Sequence, residues 1–315
     1  MAPSAPPPPT EPTLPTEPTP SIEPSPSAEP SPSAEPNPSA EPNPPAEPTP
    51  SAARTPSGAL TPVSPPSRFA PPLEGGPLHE QDWQSLTFLH WRVDPALVAP
   101  HLPPGTRPDL FDGSAWVGLI PFRLANATAP GFRALGPIPV VGTFPEINVR
   151  LYSIDDQGRH GVVFSSLESS RLAAVTAAHT LFGLPYRWAR MSITTSADGT
   201  ISYRSERRGD NGFGGGPGPH SRIDAIAGTT DRSNDDLAVF LTARWGLHIA
   251  RGRRPTRFIP NTHEPWQVVD ADLRFLDDEL LAAAGFAGLA DRAPDSVLFS
   301  PGVHTAFGRA LPRGR

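Results

Sequence analysis

The sequence predicts an α+β fold made mainly of antiparallel strands, with a few packed helices and a barrel-like sheet as the architecture that suits it. Three observations carry this expectation. Short runs of alternating apolar and polar residues recur along the chain, helical patterns are few, and a Pro-rich stretch sets residues 1–75 apart from the remaining residues 76–315.

In the first 75 residues Glu recurs every six positions from Glu11 to Glu47, in a unit close to Ser-Ala-Glu-Pro-Ser/Asn-Pro. Such dense proline removes backbone donors, favours polyproline II and leaves few apolar groups to offset the entropy of ordering. A disordered tail is expected here, either a solubilising spacer or a Pro-rich ligand for a protein with an aromatic-lined groove.

After the tail, alternation and β-branched or aromatic content predict strands at Gln84–Arg92, Ala115–Leu124, Ile147–Ile154 and Gly161–Leu167. Further strands are expected at Arg187–Thr195, Thr200–Arg207, Arg222–Ala227, Leu247–Ala250, Trp266–Phe275 and Val297–Phe299. Asp112-Gly113 and Asp198-Gly199 lie between such runs and mark tight turns. The expected helices are Pro95–His101, opened by Asp94 with proline at the first helical position, Ser170–Phe182, stopped by Gly183, then Asn234–Trp245 and Asp278–Ala284.

Composition removes whole reaction classes. Of 315 residues, 46 are proline, none is cysteine, and the 26 basic residues are all arginine. Without lysine there is no side-chain amine for a Schiff base, no internal aldimine, no P-loop lysine and no Ser-Lys dyad. Without cysteine there is no thiolate nucleophile, disulfide or thiolate-held zinc. The histidines show no HxH or HxxxH spacing, so no metal site is expected, and no cofactor is implied. The net charge of −6 is mostly that of the tail, which leaves a nearly neutral body and argues against a nucleic-acid partner. The Arg251–Arg254 cluster is the local exception, and a solvated loop is its ordinary explanation. No apolar run reaches the roughly 20 residues needed to span a bilayer, and no apolar signal core opens the sequence. A soluble cytoplasmic protein without a membrane partner is expected; nothing in the sequence fixes its oligomeric state.

The most informative segment is Phe144–Tyr152, FPEINVRLY. Glu146, Asn148, Arg150 and Tyr152 occupy alternate positions, so in a strand they share one face while Ile147, Val149 and Leu151 share the other. At about 3.3 Å per residue, Glu146 and Arg150 stand roughly 13 Å apart at Cα, too far for an easy direct pair. Each needs a partner on a neighbouring strand, or a bound molecule bridges them. Arg150 suits bidentate capture of a carboxylate, and Glu146 suits acid or base work if burial raises its pKa. The alternative is an internal ion-pair network.

His263-Glu264-Pro265-Trp266 joins a titratable pair to a rigid proline and a large aromatic, the makings of a pocket mouth or of a simple turn. His263 is a second candidate for acid-base chemistry, with Glu264 and Trp266 as ligand contacts, and Arg123 in IPFRL enters the same cavity or faces solvent. Ser165-Ser166 reads as strand rather than nucleophile, and Gly209–Pro219 as a mobile loop, of interest as a flap over a pocket.

These strings also carry a resemblance. WRVDPALVAPHLPPG, DGSAWVGLIPF, FPEINVRLY, GLPYRWARM and the later HEPW resemble the YqjF-like, or DUF2071, family across nearly all of the body. That family is related in fold to acetoacetate decarboxylase, which implies a mainly antiparallel, cone-shaped barrel with a polar interior pocket. The resemblance implies that Glu146 stands where the decarboxylase has a pocket glutamate. The decarboxylase's pocket lysine has no counterpart, so its activity does not carry over. The functional expectation is an interior pocket for a small organic ligand, anionic or carbonyl-bearing. The alternatives are a Glu/His acid-base lyase, isomerase or hydrolase, and an interaction protein working through its tail.

Overall fold

The computed structural model describes residues 64–312, except 130, 139–141, 173–182, 251 and 253. The six-residue repeat, most of the expected helix Ser170–Phe182 and part of the Arg251–Arg254 cluster lie outside the described residues.

The described chain is mostly strand, with few helices. In order these are β1 (His79–Val93), α1 (Pro95–Val98), β2 (Thr106–Pro108), β3 (Ala115–Ala125), β4 (Phe144–Asp155) and β5 (His160–Ser169). Then come β6 (Tyr186–Thr195), β7 (Ile201–Arg208), β8 (Pro217–Asp231), α2 (Asp236–Thr242), β9 (Gly246–Ile249) and β10 (Arg257–Thr262). The last are β11 (Val269–Asp278), α3 (Leu280–Ala283), β12 (Ser296–Phe307) and β13 (Leu311–Pro312). The strands form one sheet in the order β13-β10-β9-β5-β6-β7-β8-β11-β12-β1-β3-β4-β2, with β5 also pairing β4 and β10 also pairing β12. Pairing is antiparallel except where β5 meets β6 and β9. No helix among the described residues is long and apolar enough to cross a membrane.

Local chemistry explains the element ends. The Asp94 carboxylate accepts from Ala96 N at 2.8 Å, and Pro95 fills the first turn of α1. Asp235, one residue past the expected start, caps α2 by accepting from Ala238 N at 3.0 Å. Gly199, at φ 86°, closes the β6–β7 turn in the left-handed region that glycine tolerates. The strands β2, β10 and β13 have no counterpart among the expected ones: they are short, and Pro108, Pro260 and Pro312 interrupt their strand signal. The strand expected from Trp266 begins three residues later, at Val269.

The aliphatic face of β4, Ile147, Val149 and Leu151, packs into the main core with Leu89, Trp91, Val117 and Leu119, closed by Tyr203 and by Leu280 and Leu281 of α3. That packing fixes the opposite face of β4 toward a separate space.

The body also begins earlier than the expected boundary at 75. His160 Nε2 donates to Ser64 O at 2.9 Å, the Trp245 indole donates to Ser67 O at 2.6 Å, and Pro66 is buried. Prolines preserve the carbonyls of this segment as acceptors, and two donors on the body take them.

Candidate functional site

Registers around β4 build one wall of a cavity. On the face away from the core, Glu146 sits opposite Phe122 of β3, Asn148 opposite Ile120, and Arg150 opposite Gly118. On the other side Asn148 meets Leu167 of β5 and Arg150 meets Phe164, across a register shift between Val149 and Arg150. Gly118 keeps its place for space, since a Cβ there would lie 3.0 Å from the His90 ring. The cavity has a volume of about 220 Å³ and is completed by Trp83, Tyr186, Arg244, Asn261, His263 and Trp266.

Glu146 is 4% exposed. Its carboxyl receives the Tyr186 hydroxyl at 2.9 Å, and no cation is bonded to it among the described residues. Burial therefore pushes its pKa up to about 8, against a smaller downward pull from the Tyr186 hydrogen bond. Burial, aided by the Glu146 charge, holds the Tyr186 phenol well above its ordinary value. At neutral pH both are uncharged.

Arg150 donates from Nε to Tyr152 Oη at 2.9 Å and from Nη2 to Leu241 O at 3.1 Å, with its guanidinium 5.4 Å from the Phe88 ring centroid. Arg244, 4% exposed, follows α2. Its Nε donates to Phe240 O at 2.8 Å, its Nη1 pairs with Asp109, and its Nη2 has no hydrogen-bond partner among the described residues. Four more buried atoms on residues of the wall likewise have none among the described residues: Asn148 Oδ1, Asn261 Oδ1, Trp83 Nε1 and Trp266 Nε1.

An aromatic cluster also borders the cavity. Trp83 and Trp266 stack at 5.9 Å, and His263 lies 4.9 Å from Trp266 and 4.6 Å from Trp245. His263 Nδ1 donates to the Glu264 carbonyl at 2.6 Å, which leaves Nε2 as the acceptor of a neutral ring. Burial lowers its pKa to about 4, so it is neutral in ordinary buffers.

The structure thus brings Glu146, Asn148, Arg150, His263 and Trp266 together around one cavity. Tyr152 lies on the same strand face but beyond the cavity, where Phe240 of α2 covers it at 6.1 Å. It orients Arg150 and contacts His90 Nε2 at 2.5 Å. Arg123 does not line the cavity: its neighbours Phe122 and Leu124 alternate with it, and Phe122 takes the cavity side. Glu264 is exposed and offers only its carbonyl. Gly209–Pro219 does not cover the cavity: it folds back on itself through Gly209 N to Gly216 O at 2.7 Å. Residue-level reading missed Tyr186, Arg244 and Asn261. Tyr186 does sit inside GLPYRWARM, where Pro185 starts a strand, but Arg244 and Asn261 carry no local signal.

Other polar groupings are structural. Ser166 joins Glu168 and Arg207 in a buried network, with Arg207 Nη2 2.6 Å from Glu168 Oε1. Ser153, His248 and Asp155 form a Ser-His-Asp grouping with contacts of 2.8 and 3.4 Å. All are buried away from the cavity, and a Cβ on Gly161 would already lie 2.8 Å from the His248 ring, so no substrate fits beside it.

Comparison with known proteins agrees with this architecture. The DUF2071 family model, described as an uncharacterized conserved protein, matches residues 80–304. The uncharacterized protein YqjF of Bacillus subtilis (strain 168) is 32% identical over 192 residues, covering 61% of this chain and 75% of that protein. An acetoacetate decarboxylase-like enzyme from Sphingomonas wittichii RW1 superposes with a TM-score of 0.50 at 13% identity, over 75% of this chain and 93% of that one. Acetoacetate decarboxylase from Legionella pneumophila gives a TM-score of 0.49 at 14% identity, over 80% and 92% of the two chains. At 13% identity the first of these likenesses bears on the fold alone.

Proposed function

The chain belongs to the DUF2071 family, and on its acetoacetate decarboxylase-like fold we propose that it is a barrel protein binding a small organic molecule in the cavity beside β4. The double pairing of β5 with β4 and β6, which joins the two ends of a strand series, supports reading the sheet as a closed barrel. One observation carries the binding reading: a cavity of about 220 Å³ is lined by Asn148, Asn261, Arg244, Trp83 and Trp266, each with a buried polar atom that has no hydrogen-bond partner among the described residues. Each such atom forfeits its hydrogen bonds to water, at a cost of about 1–3 kcal/mol, unless something in the cavity answers it. Apolar walls with a few convergent polar groups are the usual make-up of a ligand site.

A second reading makes the protein an acid-base enzyme. Glu146, protonated at neutral pH, suits a general acid, and neutral His263 offers a lone pair across the same space. Lyase, isomerase or hydrolase chemistry fits this pair; imine chemistry does not, because no lysine is present.

The test is a thermal-shift screen of a metabolite pool on the intact chain, with Arg150→Ala and Glu146→Gln as controls. A true ligand raises Tm in proportion to RT ln(1 + [L]/Kd), and both variants reduce the shift. A pool that leaves Tm unmoved at millimolar concentration overturns the binding reading.

A further inference from the structure

We propose that the ligand is a small monocarboxylic acid with an apolar body, whose carboxylate is held by Arg244 at the α2 end of the cavity. This deepens the cavity reading above and rests on it.

The inference comes from the charges gathered around Tyr152. Two guanidiniums flank its ring, Arg150 at 5.4 Å and Arg244 at 4.8 Å from the centroid. One carboxylate, Asp109, stands beside them: it pairs with Arg244 Nη1 and is shared with His160 Nδ1 at 2.6 Å. The Glu146 carboxyl offers no second anion, because its partner is the neutral Tyr186 hydroxyl. Glu168, the remaining buried glutamate, is committed to Arg207. Arg150 spends two donors on Tyr152 Oη and Leu241 O, both neutral acceptors. Arg244 is answered by Asp109, whereas the half-buried Arg150 has no carboxylate partner among the described residues, so this group keeps a net positive charge. An anion placed there gains a charge-assisted hydrogen bond.

Arg244 carries the donor that burial leaves unpaired. Its Nε and Nη1 are used, and its Nη2 is buried with no partner among the described residues, on a side chain that lines the cavity. Its plane is fixed, packed 4.2 Å from the Phe240 centroid, so the free donor is held in place before any ligand arrives. Around it, Ile120, Phe164, Leu167, Leu247 and Ile259 supply apolar walls, which select an apolar body over a sugar or phosphate ester. At roughly 30 Å³ for each water-sized group, the cavity holds on the order of seven such groups, the size of a short-chain or single-ring acid. The acceptor oxygens of Asn148 and Asn261 leave room for a hydroxyl on that body or for a retained water.

The experiment compares acids with their neutral amides on the full chain: isovalerate against isovaleramide and benzoate against benzamide, by titration calorimetry and thermal shift. Isosteric pairs separate charge from shape. Each acid is expected to bind at least about tenfold more tightly than its amide, the difference between a charge-assisted and a neutral hydrogen bond. Arg244→Gln is expected to bring the acid down to the affinity of the amide. Because Arg244→Gln also strips Asp109 of its partner and can unfold the chain, the wild-type comparison decides the anion claim without it. Amides that bind as well as acids overturn the monoanion while leaving the cavity reading standing. An acid preference that survives in folded Arg244→Gln overturns Arg244 as the anchor. If no acid, amide or pool metabolite binds, the cavity reading fails and takes this proposal with it.

Discussion

Glu146 is an acid that its surroundings keep protonated, and that has a measurable signature in stability. Its pKa is about 8 in the fold against an ordinary value of 4.5, so between these limits the native state holds a proton that the unfolded chain has released. Stability then falls as pH rises through that window and levels off above it. His263 and His248 act with the opposite sign: burial lowers both to about 4 from 6.5, so they add stability as pH rises over that lower range and nothing beyond it. From pH 6.5 to 8 the Glu146 contribution stands without theirs. Denaturant unfolding of the wild type is expected to lose on the order of 1–2 kcal/mol across that interval, and Glu146→Gln to flatten the profile. A decline that persists in the variant would assign it to another group. Gly118 gives a second residue-level prediction: a methyl group there meets His90 at 3.0 Å and Ile120 Cδ1 at 2.7 Å. Gly118→Ala is expected to cost about 1–3 kcal/mol in the same assay and to disturb the Tyr152–Arg150 contact through His90.

At the scale of elements, Ser64–Pro72 behaves as part of the body rather than of the tail. It has no strand or helix of its own, so its hold rests on the His160 and Trp245 donors, on the hydrogen bond from Arg68 to Asn234 Oδ1 and on buried Pro66. A chain starting at residue 76 is expected to be about 2–4 kcal/mol less stable than one starting at residue 64, from three hydrogen bonds and one buried ring. Trp245→Phe keeps most of the packing and removes one donor, and it should account for about 1 kcal/mol of that difference. Equal stability of the two truncations would show the contacts to be incidental. The strap was illegible in the sequence because its composition continues that of the repeat; what distinguishes it is a partner more than ninety residues away. The same contrast runs through the site. The β4 face was readable from FPEINVRLY alone, since alternation dictates which side chains stand together. Alternation does not say which neighbours close the space. Arg123 satisfies the same pattern as Arg150 yet falls on the other side of β3, whereas Arg244 enters from the turn after α2, where no periodicity points inward. The ends of the strands were hidden where proline interrupts them, as at Pro260.

The molecule as a whole separates a fold from the chemistry its relatives suggest. The fold is like that of an acetoacetate decarboxylase-like enzyme, but a chain of 315 residues with no lysine cannot form an imine through any side chain. The cavity wall carries guanidinium groups, a protonated carboxyl and carboxamides, which on the proposed reading serve reversible recognition. Positive charge beside a neutral acid can also polarise a bound carbonyl or carboxylate without forming a bond to it. This division is open to direct chemical test. Incubation with acetoacetate and borohydride, followed by intact-mass measurement and peptide mapping, is expected to show no adduct anywhere in residues 64–312. The chain's α-amine can give a slow background product, which mapping assigns to the N-terminal peptide. Decarboxylation of acetoacetate is expected to stay at the buffer rate and to be indifferent to borohydride pretreatment. A reducible adduct mapped to a cavity strand, or a turnover that borohydride abolishes, would show that another group has taken the amine's place and would replace reversible capture with covalent catalysis.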